Sequence, residues 1–306
     1  MWFEGIEKKL EIIFSTPNRT LRQNSQCWQN VVRACGAEII SHTQTTEMDA
    51  YLLSESSLFV WDDRILMITC GKTRLINSVF VLLECVSADE IAQVFYERKN
   101  LLFPTEQCSD FEADVERLSA VFPGKSFRFG AANAEHVHMF FYGAPMEVTA
   151  PDTTLQILMN DIGGQATDAF WEKTKQTEAS VAWREKLFLP FQKMQRDEFY
   201  FSPQGYSCNC IYNDQYMTIH ISPQKESSYT SFEMNSIHAV QEDVIKTVIS
   251  SFEPQHAFVA VTTSLDSQSM DAYTKIKVPD GYQTAGKGTY ESENGYFLTY
   301  ISLFKK

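Results

Sequence analysis

The sequence predicts an α/β protein made of two similar halves, and three observations carry that reading. Strand and helix patterns alternate along both halves of the 306 residues. A hairpin with a serine-bearing first strand occurs once in each half, its second strand ending in Cys70-Gly71 in one and in His220-Ile221 in the other, which a duplicated unit or two chance instances of a common pattern would give. A hydrophobic share of 44% with 22 Phe is ample for a well-buried core. The sequence has neither the regular strand–helix–strand rhythm nor the glycine-rich phosphate loop of a nucleotide-binding domain.

Taken in order, residues 7–14 read as a strand that breaks at Ser15-Thr16-Pro17-Asn18, and residues 21–35 as a helix stopped by Gly36. Next comes YLLSESSLFVWDDRILMITCGK, from Tyr51 to Lys72, in which residues 58–60 and 65–68 form strands on either side of a Trp61-Asp62-Asp63-Arg64 turn. Ser54, Glu55, Ser56 and Ser57 stand where a strand should be packing. Three hydroxyls and a carboxylate are poor strand material unless they face water or do chemistry. Residues 75–85 and 89–96 look helical, and 126–129 and 136–142 look like strands. In the second half an ordered segment at 154–159 precedes a polar helical stretch near 166–177. A hairpin SCNCIYNDQYMTIHIS then turns at Asn213-Asp214. A helix over 240–252 and strands over 256–263 and 296–304 complete the chain, with 281–295 read as a surface loop.

The first residues, MWFEGIEKKLEIIF, carry charges through any would-be apolar run, and no stretch approaches membrane-spanning length, so a cytoplasmic protein is expected. Cysteines 27, 35, 70, 85, 108, 208 and 210 show no CxxC pair and only one Cys-x-Cys, which indicates neither a disulfide framework nor a zinc cage. Most are expected to be reduced and structural, and no metal is expected. A net charge of −13 disfavours nucleic acid and anionic membranes and suits a cationic ligand.

Five strings occur in order: Phe3-Glu4-Gly5 with Glu7, Leu53-Ser54-Glu55-Ser56-Ser57, Thr69-Cys70-Gly71, Gly205-Tyr206-Ser207, and Thr218-Ile219-His220-Ile221. Together they resemble the eukaryotic-type S-adenosylmethionine decarboxylases, from Phe3 to about position 233 by motif and more loosely beyond. The resemblance implies a four-layer αββα sandwich as one domain over residues 1–306. It also implies a proenzyme that cuts itself between Glu55 and Ser56 into a short chain, 1–55, and a long chain, 56–306. In such a cut the Ser56 hydroxyl attacks the Glu55 carbonyl, and the ester that forms breaks down to a pyruvoyl group at the new amino terminus. The pyruvoyl ketone is the implied covalent cofactor, able to form a Schiff base with the amine of S-adenosylmethionine and to accept electrons as carbon dioxide leaves.

The resemblance assigns the remaining roles residue by residue. His220 is the base of self-processing, and Ser207 hydrogen-bonds the intermediate. Cys70, fourteen positions after Ser56, is the proton donor to the substrate. Glu4 and Glu7 are the acidic pair facing a sulfonium and an ammonium, and Phe3 and Phe201 are the rings that sandwich the adenine. Leu53 and Glu55 belong with the substrate-binding set. Taken alone, His220 reads as a satisfied strand histidine, Ser207 as a turn hydroxyl, Cys70 as a core cysteine and either Phe as core. The run of motifs turns those readings toward function.

Three positions depart from the family pattern. Gln224 stands where a glutamate holds the ribose hydroxyls, which forfeits the strength of a charged acceptor. The acid cluster that takes putrescine as an activator is matched by Glu11, Asp152 and Glu233, but an expected glutamate is Gln156 and an expected lysine is Ile68. Uncompensated buried carboxylates are costly, which argues for a diamine or an equivalent cation beside them. The departures also raise a rival reading, a catalytically impaired paralogue that activates a partner decarboxylase, and a third, a generic α/β binding protein. A monomer, a homodimer and a heterodimer with a paralogue are all left open by the sequence.

Overall fold

Most strands of this chain are buried along nearly their whole length, with side chains at alternate positions packing each sheet against its helices. The computed structural model describes residues 7–100, 104–132, 134–144, 152–171, 177–224, 227–235, 242–264, 276–293 and 295–306. They divide between two compact units, Met1–Phe129 with His136–Ala144, and Gly130–Glu135 with Pro145–Lys306. The strands of the first unit are β1 (Lys8–Phe14), β2 (Ile39–Gln44), β3 (Met48–Leu53), β4 (Ser56–Trp61), β5 (Arg64–Thr69), β6 (Ile91–Lys99), β7 (Lys125–Phe129) and β8 (Val137–Gly143). Its helices are α1 (Arg19–Gln23), α2 (Ser25–Ala34), α3 (Ile76–Leu82) and α4 (Phe111–Ser119). The second unit holds β9 (Thr153–Asn160), β10 (Gln195–Tyr200), β11 (Tyr206–Tyr212), β12 (Gln215–Ser222), β13 (Tyr229–Asn235), β14 (His256–Ser264), β15 (Tyr282–Glu291) and β16 (Tyr296–Lys305). Helices α5 (Gly164–Phe170), α6 (Glu178–Phe188) and α7 (Glu242–Phe252) accompany them.

Each unit is an eight-stranded sheet, ordered β2-β3-β4-β5-β1-β6-β8-β7 in the first and β10-β11-β12-β13-β9-β14-β16-β15 in the second. Subtracting eight from every label of the second order reproduces the first, so the two halves share one topology. The duplication read from the hairpins is therefore present, but shifted by one strand. The β4–β5 hairpin corresponds to β12–β13, and the β11–β12 hairpin corresponds to β3–β4.

In the first unit Leu10, Ile12 and Phe14 of β1 join Leu58, Val60, Ile65 and Met67 under Trp28, Val31, Val79 and Leu118 of the helices. Lys9 and Glu11 then point to the opposite face by period-two alternation. The second unit repeats the plan, with Cys208, Cys210, Met217 and Ile219 packed against Phe170, Phe188, Ile249 and Phe252.

Several expectations change. The helix expected over 21–35 is two helices, because the Asn24 side chain accepts from the Cys27 amide at 3.1 Å and starts α2 afresh. Residues 89–96 are not helical. The Ser87–Glu90 capping box closes a single short turn, after which Val94, Phe95 and Tyr96 run into a strand bonded to β1 on one side and β8 on the other. The loop expected over 281–295 is mostly the edge strand β15. Its glycines fit a packed ring, since a Cβ at Gly288 would lie 2.8 Å from the Tyr300 ring. Against the expectation of reduced cysteines, a disulfide joins Cys27 of α2 to Cys85 just beyond α3, two helices that pack together on the same face of the sheet. No helix among the described residues is long and apolar enough to cross a membrane.

One buried polar cluster braces this fold. Asp114 of α4 accepts from Arg98 at 2.8 Å and from the Tyr96 hydroxyl at 2.5 Å, and all three are buried. Removing the carboxylate would strand a guanidinium in the core, which costs on the order of 3–5 kcal/mol. Asp114→Ala is expected to lose that much in denaturant unfolding, and a loss under about 1 kcal/mol would show that Arg98 finds other partners.

Candidate active site

The β3–β4 connection is a tight one, as short as that between β4 and β5. Ser54 and Glu55 form a two-residue turn, with Leu53 and Ser56 opposed across it. The four polar residues therefore do not interrupt a strand, as the sequence suggested; the first two make the turn and the other two open β4. Ser56 is 1% exposed and adopts φ 130°, outside the regions an L residue normally occupies, a strain of roughly 1–3 kcal/mol. Its hydroxyl is buried without a hydrogen-bond partner. A nucleophile that gives up no bond to react, next to a strained peptide, is what intramolecular attack requires.

The carbonyl that this hydroxyl would attack is already held. The Cys70 amide donates to the Glu55 carbonyl at 3.0 Å, and the Cys70 thiol approaches the same oxygen at 3.4 Å. Two donors on one carbonyl oxygen favour the charge that develops there as it becomes tetrahedral. Burial, and after it the negative charges of Glu55 and Glu7, push the Cys70 thiol well above its ordinary range, with Lys8 acting in the other direction. The thiol stays protonated through neutral pH, the state a proton donor needs. Burial likewise raises the Glu55 carboxyl, again opposed by Lys8.

Lys8 is a residue the sequence reading passed over. Fully buried, its ammonium donates to the Gly71 carbonyl at 2.8 Å and to Gln107 Oε1 at 3.1 Å, which anchors the segment that carries Cys70. The signal was available: a lysine occupies a strand position in phase with Leu10, Ile12 and Phe14. Glu7 is buried and its carbonyl accepts from the Lys99 amide at 3.3 Å. Glu4 and Phe3 lie outside the described residues. Leu53 is fully buried, its side chain in the helix-side core and its main chain in the ladder between β2 and β4.

The second unit holds a polar row of its own. Ser207 and His220 are opposed across β11 and β12, as are Asn209 and Thr218. The Ser207 hydroxyl lies 2.9 Å from His220 Nδ1, and Thr218 Oγ1 lies 2.9 Å from Nε2. Burial pulls the imidazole down to about 3, so it is neutral and able to act as a base. Thr218 and Asn209 were not singled out as acting residues in the sequence; their alternation with Ser207 and His220 was the available sign. Phe201 is half-buried, its ring 5.0 Å from Phe199, and Gln224 closes a turn through its carbonyl to Ser227.

The expected acid cluster is distributed among existing partners. Glu11 meets Arg64 at 3.5 Å, Asp152 accepts from Tyr296 at 2.8 Å, and Glu233 accepts from Tyr216 at 2.6 Å and Gln156 at 3.2 Å. A cleft of about 1130 Å³ in the first unit is lined instead by Arg22, His42, Asp49 and Tyr51, and it holds none of the expected residues.

A family model described as adenosylmethionine decarboxylase matches residues 1–304. Curated relatives include an S-adenosylmethionine decarboxylase proenzyme of Xenopus laevis, 31% identical over 99% of this chain and 96% of the relative. Those of Drosophila melanogaster and Trypanosoma cruzi are 32% and 33% identical over 90% and 89% of this chain, and over 87% and 79% of their own. A solved structure of a Trypanosoma brucei AdoMetDC-delta26 monomer aligns over 81% of this chain and 99% of that one, at a TM-score of 0.62 and 24% identity. That likeness shows the fold, an α/β sandwich of two similar halves.

The buried imidazole has a stability consequence. A histidine held near 3 when folded and near 6.5 when unfolded binds its proton only on unfolding. Its contribution is thus intact above pH 6.5 and is lost as pH falls toward the folded value. In a chain carrying Ser56→Ala, the urea midpoint should fall below pH 6.5 more steeply than in the same chain with His220→Gln added. Equal slopes would mean that His220 is charged in the folded protein.

Proposed function

The chain belongs to the adenosylmethionine decarboxylase family, and on that premise we propose that it is a proenzyme which cuts itself between Glu55 and Ser56 and then decarboxylates S-adenosylmethionine. One observation carries the reading: the buried, partnerless hydroxyl of a strained Ser56 beside a Glu55 carbonyl that accepts from the Cys70 amide. A purely structural serine has no use for that combination.

In this reading Ser56 Oγ adds to the Glu55 carbonyl carbon, the Glu55–Ser56 C–N bond breaks, and the amide becomes an ester. His220 takes the Ser56 Cα proton, the Cβ–O bond breaks to release the Glu55 carboxylate, and hydrolysis frees ammonia and leaves a pyruvoyl group heading residues 56–306. Ser207 stabilises the oxygen of the intermediate. The pyruvoyl ketone then supplies the electron sink that decarboxylation needs. Cys70, held protonated, returns a proton to the α-carbon of the substrate. Glu4 and Glu7 face its positive charges, Phe3 and Phe201 its adenine, Gln224 its ribose, and Leu53 and Glu55 complete the set. The product is an aminopropyl donor for spermidine and spermine synthesis.

The test has to allow for the disulfide, because Cys27 and Cys85 lie on either side of the proposed cut. After thiol blocking, a denaturing gel should show one band without reductant and two with it, and a carbonyl reagent should label only the longer product. One band under both conditions with an unmodified Ser56 would replace this reading by the regulatory paralogue. Two bands without reductant would leave the cut in place and show the disulfide open.

For putrescine we propose that it is dispensable. Each acid of its expected cluster has a partner within its own unit, and Lys9 is buried on the strand face that carries Glu11, opposed to Ile68 on one side and to Glu97 on the other. The positive charge missing at Ile68 is thereby restored one strand away. Added putrescine should change the decarboxylation rate by less than about twofold and leave Tm unmoved, and a several-fold acceleration would restore the diamine as activator.

A further inference from the structure

The Thr218 hydroxyl has one proton, and its geometry fixes where that proton goes. It donates to Asn209 Oδ1 at 2.9 Å, an atom that can only accept. With its proton committed there, Thr218 Oγ1 can meet His220 Nε2 at 2.9 Å only as an acceptor, so Nε2 carries the imidazole proton. A neutral ring has one N–H, which leaves Nδ1 with a lone pair, and the Ser207 hydroxyl donates to it at 2.9 Å. All four residues are buried and lie on one strand face by register, Asn209 opposite Thr218 and Ser207 opposite His220.

We propose that Asn209 and Thr218 are positioning residues for self-processing, a relay that holds His220 in the Nε2–H tautomer and so makes Nδ1 the basic atom. This rests on the reading of His220 as the processing base, and it adds which nitrogen acts and what fixes it. A base buried this deeply cannot rely on water to choose its tautomer. Were the proton on Nδ1, the atom beside Ser207 would be a donor, and no lone pair would remain there to take up a proton. In the observed arrangement the lone pair becomes available as soon as Ser207 turns its hydroxyl to another acceptor, while Nε2–H, Thr218 and Asn209 stay in place behind it.

The test separates tautomer from catalysis. In the uncut Ser56→Ala chain with ¹⁵N-labelled histidine, the His220 signals, identified among the 6 His by their loss in His220→Gln, should show a protonated Nε2 and an unprotonated Nδ1. Thr218→Val should mix or reverse the two tautomers and, in the chain with native Ser56, slow self-cleavage at least about tenfold. Thr218→Ser should restore both the spectrum and most of the rate, and Asn209→Leu should act like Thr218→Val. A protonated Nδ1 in the uncut chain, or a Thr218→Val protein with an unchanged spectrum and rate, overturns the relay. If the chain with native Ser56 never cleaves, the processing reading fails on its own, and the positioning role falls with it even where the spectrum shows the Nε2–H tautomer.

Discussion

The structure turns on the hydrogen bond from the Cys70 amide to the Glu55 carbonyl. A two-residue connection between β3 and β4 brings the chain about sharply, and β5 pairs Ser56 with Thr69, so the residue after Thr69 lands against the turn. The carbonyl of Glu55 has no freedom to rotate toward water. Its peptide is held from one side by Cys70 and from the other by a serine locked into a β ladder at an unfavourable φ. Such strain persists only where the surroundings over-determine it, and here three paired strands do so.

Burial beside that turn places charges where the fold must neutralise them. Lys8 answers two needs: it satisfies the Gly71 carbonyl, and its charge opposes the rise that burial imposes on Glu55 and Cys70. Across the ladder, Lys9 stands opposite Glu97, and Glu11 reaches Arg64. The first half thus carries buried acids together with its own bases. A buried carboxylate needs a cation nearby, but the cation can be a lysine in the next strand as well as a ligand.

Much of this was legible from residues alone. Apolar runs bounded by turn residues placed β1, the paired strands around Trp61-Arg64, and the β11–β12 hairpin. The failures have physical causes. Residues 89–96 carry a helix-start signal that Ser87 and Glu90 use up in one turn. The glycines after 281 look like loop until the Tyr300 ring that needs their missing Cβ is in place. Ser54 and Glu55 look misplaced in a strand because a two-residue turn without Gly or Asn leaves no turn signature. Among site residues, Lys8 and Asn209 escaped notice because each acts through a partner on another strand or segment, and Thr218 was read only as part of the string that carries His220. Ser56, Cys70, Ser207 and His220 sat in strings that announced themselves.

The shared topology sets the proposed cutting hairpin beside its counterpart in the other half. The β3–β4 hairpin and the β11–β12 hairpin occupy the same place in their sheets, and each turns through two residues. In the second, the positive φ falls on Asn213, at 54°, a conformation that asparagine tolerates within a turn. In the first, neither Ser54 nor Glu55 takes a positive φ, and the irregular angle falls instead on Ser56, inside the ladder, where a serine has no such tolerance. A turn built like its counterpart would relax at its tip and leave the peptide after it unstrained. Moving the strain from the tip onto the first strand residue loads it on a peptide whose carbonyl is already polarised and whose serine hydroxyl is unengaged. One duplicated hairpin therefore relaxes at its tip while the other carries its strain at the proposed cut, and the difference lies in which residue carries the positive φ.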